Sequence, residues 1–146
     1  MDFIEKKTSL NTYRYFTRSK PSIKKYEKEK YESKLFLDDN VNRRDFGGLR
    51  YKNFYKTSLK DKPLISIITP NFKSPDLEKT IISILKQEYE NLELIIIDAD
   101  SGEETVQILK KYEDQIDLWV SERDNGLWDG WNKGLKFATG DYIGIL

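Results

Sequence analysis

Leu64-Ile65-Ser66-Ile67-Ile68-Thr69 and Leu94-Ile95-Ile96-Ile97-Asp98 are the two segments whose reading decides the fold. Each is short and rich in β-branched residues. Pro63 and Pro70 bound the first, and an acid closes the second. Near-continuous apolar runs of this length read as strands buried on both faces, the pattern of a parallel sheet. Between them Leu77, Ile81, Ile84 and Leu85 recur with helical spacing, so one stripe faces the sheet. Ser74 is the expected N-cap of that helix and Pro75 its first residue.

The alternation continues towards Leu146. Ser101-Gly102-Glu103-Glu104 reads as a capping box opening a helix that turns Val106, Leu109 and Tyr112 inward. Ile116 to Val120 is a third expected strand. Leu127, Trp131, Leu135 and Ala138 form the stripe of another helix, closed by Gly140, and Asp141 to Leu146 a last strand. Trp128 and Trp131 are expected in the core, although Trp128 lies off the stripe. Strands alternating with helices across short loops predict an α/β fold over residues 62–146, a Rossmann-like parallel sheet with flanking helices and right-handed crossovers.

The first 61 residues differ in character. Residues 1–60 hold 16 Lys/Arg against 8 Asp/Glu, whereas 61–146 hold 9 against 17. This predicts a basic extension, partly helical or irregular, attracted to an acidic domain. Lys24 to Lys34 is the expected exposed helix. Basic residues interleaved with aromatics (Tyr13, Arg14, Tyr15, Phe16, Arg18, Lys20) suit nucleic acid or an anionic membrane surface. The plainer reading is a solvated arm whose aromatics pack on the neighbouring domain. No nucleic-acid motif accompanies the charge, so no nucleic-acid partner is expected.

The chain contains neither cysteine nor histidine. Disulfides, thiolate or imidazole metal sites and histidine acid–base chemistry are therefore excluded. The first residues lack the apolar core of a signal peptide, and no apolar run approaches the roughly 20 residues of a spanning helix. A soluble, cytoplasmic protein is expected, with peripheral membrane contact left open.

Ligands of such sheets bind beyond the carboxyl ends of the strands. Three segments fall there: Pro70-Asn71-Phe72-Lys73, Asp98-Ala99-Asp100-Ser101, and Asp124 to Asp129. A carboxylate at the end of an apolar strand, as at Asp98, can accept hydrogen bonds from a base or a ribose. Equally it can cap the following turn. Asp129, Asn132 and Lys133 share one helical face, to line a pocket or to form an ordinary surface ion pair. A nicotinamide dehydrogenase is rejected, because no glycine-rich turn follows the first strand.

Several of these segments, in this order, resemble family-two glycosyltransferases of the GT-A fold. They are Pro63 to Phe72, Leu77 to Ile81 with Ser83 to Gln87, Leu94 to Asp98, Ser121 to Gly134, and Ala138 to Gly144. Gly48-Leu49-Arg50 resembles a lead-in found in some members. The resemblance implies binding of a nucleotide-sugar donor, UDP- or GDP-linked, and transfer of its sugar to a glycan or lipid-linked acceptor. It implies that Asp98 contacts the nucleoside, that Thr69, Pro70, Asn71 and Phe72 pack beside it, and that Asp100, Ser101, Asp124, Asp129 and Asn132 flank the donor. It also implies Mg²⁺ or Mn²⁺, held by an acidic motif that follows the Gly-Asp-Tyr-Ile-Gly strand in the family and is absent from this chain. No catalytic residue is assigned, and the chain alone is expected to be inactive. The alternative is a non-catalytic nucleotide- or partner-binding module, completed by a separate C-terminal half or self-associating through its terminal strand.

Two departures matter. Lys73 stands where the family commonly has Asn, and Asp100, Glu103 and Glu104 add negative charge near a diphosphate site. The donor reading rests most heavily on Asp98: a side chain turned into the interior would count against it.

Overall fold

The computed structural model describes residues 3–7, 13–23, 25–26 and 31–146. In the N-terminal region, β1 (Ile4–Lys7) pairs antiparallel with β2 (Tyr13–Phe16), and β3 (Lys25–Tyr26) with β4 (Tyr31–Glu32). The helix expected over Lys24 to Lys34 is corrected: its described ends are paired strands, and residues 24 and 27–30 lie outside the described set.

The main sheet has the order β5-β8-β7-β6-β9. Its members are β5 (Asp45–Gly47), β6 (Ile65–Asn71), β7 (Leu92–Asp98), β8 (Leu118–Ser121) and β9 (Tyr142–Ile145). β6 to β9 are mutually parallel, and β5 closes one edge antiparallel to β8. Three helices make the crossovers: α1 (Leu77–Leu85), α2 (Glu103–Lys111) and α3 (Leu127–Phe137).

Alternation along β7 sorts the core onto two faces. Leu94 and Ile96 join Leu77, Ile81, Val106 and Leu109 under α1 and α2. Ile95 and Ile97 join Ile68, Val120 and Phe137 under α3. Every residue of β7 is buried, as its apolar run predicts. The stripes of α1 and α2 face the core as expected. The stripe of α3 does so in part: Trp131, Leu135 and Ala138 pack with the Ile95 and Ile97 cluster, Leu127 is exposed, and the helix lies on β6 through Gly130 and Gly134. A Cβ at Gly134 would stand 2.3 Å from Ile68 Cγ2, and one at Gly130 3.2 Å from Pro70 Cβ. The two glycines, one turn apart, bring the helix close to the strand.

Both expected caps are also corrected. The Ser74 hydroxyl accepts the Asp76 N–H, and α1 begins at Leu77 beyond a turn containing Pro75. Gly102 caps α2 without a side-chain bond, because the Ser101 hydroxyl is used elsewhere.

The segment before residue 62 packs into the domain. Phe16, Leu35, Leu49 and Tyr55 are buried, and Thr17 and Tyr55 exchange backbone hydrogen bonds of 2.8 and 2.9 Å. Three cations of this segment are buried as well. Arg14 donates to Leu85 O at 3.0 Å, Arg50 pairs with Glu93, and Lys56 pairs with Asp117. The aromatic packing agrees with the plainer reading of this segment, whereas these buried cations are not those of a solvated arm. No helix among the described residues is long and apolar enough to cross a membrane.

Candidate functional site

A cleft of about 610 Å³ opens beyond the carboxyl ends of the strands, within the range of small-ligand sites. The end of β6 contributes Pro70, Asn71, Phe72 and Lys73, and the end of β7 contributes Ala99 and Asp100. Arg123, Asp124, Gly126 and Leu127 complete it from the turn into α3. Gly126 turns at φ 105°, a conformation costly for any side chain. Its N–H bonds Asp124 Oδ1 at 2.9 Å. Phe72 and Leu127 expose apolar surface in the lining, and beside them Trp128 is 74% exposed. The expectation that Trp128 is core is therefore corrected. Trp131 is partly buried and packs edge-on against Trp128 at 4.9 Å.

Asp98 does not line this cleft. It is fully buried, and its carboxylate is occupied by neighbouring loops. Oδ1 accepts from Asn71 Nδ2 at 2.7 Å and Ser101 Oγ at 2.5 Å. Oδ2 accepts from Ser101 N at 3.0 Å and Ser121 Oγ at 2.7 Å. The same Ser101 hydroxyl accepts the Lys73 N–H at 2.7 Å. Asp98 thus ties together the ends of β6, β7 and β8, and a satisfied buried network of this kind fixes geometry. The structure gives Asp98 this tethering role at the strand ends, and the feature that bears on a donor site is the cleft beside it.

The other expected site residues divide. Pro70, Asn71, Phe72, Asp100 and Asp124 line the cleft together. Thr69 is buried beneath it, with no hydrogen-bond partner for its hydroxyl among the described residues. Ser101 belongs to the Asp98 network. Asp129 accepts the Asn125 N–H at 2.9 Å and shapes the turn, while Asn132 is exposed on α3 away from the lining. Lys133 bonds Arg123 O at 3.0 Å and stands 3.3 Å from Glu122. Asp129 and Lys133 thus both fasten the turn into α3, and stand 3.9 Å apart as an i, i+4 pair.

Charge in the cleft is balanced from an unexpected source. Asp100 adopts φ 56°, and its Oδ1 accepts from Arg44 Nε at 2.5 Å. This bond holds the Arg44 guanidinium above its ordinary pKa. Glu103 and Glu104 are exposed and outside the lining. Sequence reasoning missed Arg44, since the paired arginines 43 and 44 are the only local signal and their partners are distant in sequence. Lys73, flagged as a departure, adopts φ 49°, a region where Asn is better tolerated than Lys.

No group of three or more Asp, Glu, His or Cys residues among the described residues could hold a metal ion. The cleft acids are engaged by Arg44 and by the Gly126 N–H. The residues present do not fit a divalent cation, and no chemical step is derived through one.

Comparison with known proteins agrees with the fold and the motif order. An uncharacterized glycosyltransferase of Mycobacterium tuberculosis H37Rv is 37% identical over 86 residues, covering 58% of this chain and 33% of the relative. The Escherichia coli UDP-Glc:alpha-D-GlcNAc-diphosphoundecaprenol beta-1,3-glucosyltransferase WfgD is 35% identical over 88 residues, covering 59% of this chain and 35% of the relative. Among solved structures, the mannosyltransferase PcManGT of Pyrobaculum calidifontis, in complex with GDP-Man and Mn²⁺, superimposes with a TM-score of 0.50 at 23% identity. It covers 57% of this chain and 27% of that one, and supports the GT-A, Rossmann-like fold. The chain spans about one third of the length of these curated relatives. The family model for glycosyl transferase family 2 matches residues 66–146, more than half of the chain, and by that match the chain belongs to this family.

Proposed function

We propose that this chain forms the nucleotide-binding part of a glycosyltransferase that moves a sugar from a nucleotide donor to a lipid-linked or glycan acceptor. The observation that carries the reading is the cleft, formed at the carboxyl ends of β6 and β7 by segments of the family-matched region. Its apolar lining from Phe72 and Leu127 suits a base, and Lys73 and Arg123 suit phosphate. The acceptor class follows the E. coli relative, whose name describes a diphosphoundecaprenol substrate. A lipid-linked acceptor requires work at a membrane surface, which the positive balance of residues 1–60 suits. A cytoplasmic place with peripheral membrane contact is part of the proposal.

Because the acids of the cleft are engaged and the described residues offer no cluster for a divalent cation, we assign this segment nucleotide binding without donor turnover on its own. Calorimetry with UDP and GDP, with and without Mn²⁺, tests this. Saturable binding of one diphosphate is expected. Absence of binding to either overturns the reading, and robust sugar-donor turnover by the isolated chain overturns the division of labour.

A partner-binding role has separate support. Among the described residues β9 forms one edge of the sheet, and Tyr142, Ile143, Ile145 and Leu146 are exposed there. An apolar edge strand is a template for further pairing.

A further inference from the structure

The family-matched region begins at residue 66, yet the cleft acid Asp100 is neutralised from outside it. Arg44 reaches Asp100 because the segment carrying it is fixed to β8. The Arg44 N–H bonds Ser121 O at 2.9 Å, and β5 continues that pairing from Asp45. The neighbouring Arg43 bonds Glu122 at 2.9 Å and Asp38 O at 2.7 Å. The two neighbouring arginines thus take different partners. One fastens the loop and the other meets the cleft acid.

Without Arg44, the charges lining the cleft are Lys73 and Arg123 against Asp100 and Asp124. Arg123 is 93% exposed, and its Nε stands 3.9 Å from Asp100 Oδ2. A diphosphate brought into that balance meets a carboxylate beyond the end of β7 that only this exposed, distant Arg123 offsets. With Arg44 in place, that carboxylate is engaged and the balance turns positive.

We propose that Arg44 is a positioning residue for an anionic ligand: by engaging Asp100, it lets the cleft accept the diphosphate of a nucleoside diphosphate. Arg44 does not itself line the cleft, and acts through Asp100. The proposal rests on the nucleotide-binding reading given above.

The test is calorimetry on the full chain with UDP and GDP, and with uridine and guanosine as uncharged probes. The variants are Arg44→Ala, Arg44→Lys, Asp100→Asn and the Arg44→Ala/Asp100→Asn pair. Arg44→Ala is expected to weaken diphosphate binding about tenfold at low salt, and less at high salt, while leaving nucleoside binding unchanged. Arg44→Lys should retain most of the affinity. Adding Asp100→Asn to Arg44→Ala should restore it, which a merely structural role for Arg44 does not predict. If wild-type protein binds no diphosphate, the nucleotide reading falls and this inference with it. If wild-type protein binds and Arg44→Ala is unchanged, or loses nucleoside and diphosphate alike, or is not restored by Asp100→Asn, the role of Arg44 alone is overturned.

Discussion

Lys56 Nζ lies 2.8 Å from Asp117 Oδ2, and both side chains are almost wholly shut off from solvent. Lys56 also donates to Leu92 O at 2.5 Å, and Asp117 accepts the Leu94 N–H at 2.8 Å. The pair therefore locks the N-terminal segment to the start of β7. Breaking a buried pair from one side leaves an uncompensated charge and costs about 3–5 kcal/mol. Lys56→Met should lower unfolding stability by that amount in a urea titration. A loss under about 1 kcal/mol would mean that the segment is not held by this contact.

Glu93 gives the fold a defined acid sensitivity. Burial alone would raise its pKa, but the Arg50 charge, the Ser66 hydroxyl and the Thr139 N–H outweigh that and hold it below the ordinary glutamate value of 4.5. A depressed folded-state value means that the unfolded chain takes up the proton first. This contribution is fully present above pH 4.5 and is lost as pH falls towards the folded value. Asp117 runs the other way, because burial raises its pKa. The wild-type curve therefore sums opposed contributions, and the difference from Glu93→Gln isolates one. That variant should be less stable at neutral pH by about 3 kcal/mol and show a flatter decline below pH 4.5. Parallel stability curves for the two proteins would refute the assignment.

Asp98→Ala separates a structural hub from a ligand contact. It strips the acceptor from Asn71 Nδ2, Ser101 and Ser121 at once. Buried donors left unpaired cost about 1–3 kcal/mol each, so a total loss of about 3 kcal/mol or more is expected. Thermal and urea unfolding measure it. A variant as stable as the parent, but with lost nucleotide affinity, would assign Asp98 the ligand contact instead.

The sheet was legible because its strands bury both faces, and an unbroken Leu94 to Ile97 run has few other readings. The position of Asp98 at a strand end was legible too. The direction of its carboxylate was not, since that depends on Asn71 and Ser121, residues 27 and 23 positions away. The role of the N-terminal segment was hidden for a similar reason. Arg50 and Lys56 look like surface charge until Glu93 and Asp117, 43 and 61 positions on, are seen to bury against them. In α3 the search for apolar side chains found Trp131, Leu135 and Ala138 but passed over Gly130 and Gly134, which bring the helix onto β6 and carry no side chain to read.

Gly134→Ala tests that face. Alanine gains about 1 kcal/mol of helix propensity over glycine. Its Cβ, however, would stand 2.3 Å from Ile68 Cγ2, a branched side chain in a fully buried position. Overpacking of this kind costs about 1–3 kcal/mol, so net destabilisation is expected. Ile68→Ala should be costly alone, yet cost less in the Gly134→Ala background. Strict additivity in chemical denaturation would show that α3 does not rest on Ile68.

The outer edge of the sheet makes the last prediction. Ile143 and Ile145 are 48% and 52% exposed on β9, whose only strand neighbour among the described residues is β6. Both the open backbone edge and the apolar side chains favour pairing with another strand, and a second copy of this chain is the partner always present in solution. Sedimentation velocity over a concentration series should therefore show reversible self-association. Lysine at both positions places like charges across any such contact and should weaken it by tenfold or more, about 1.4 kcal/mol. The substituted side chains are exposed, so the cooperative unfolding of the monomer should change little. A wild-type chain that stays monodisperse and monomeric at high concentration would show that this edge does not pair with itself.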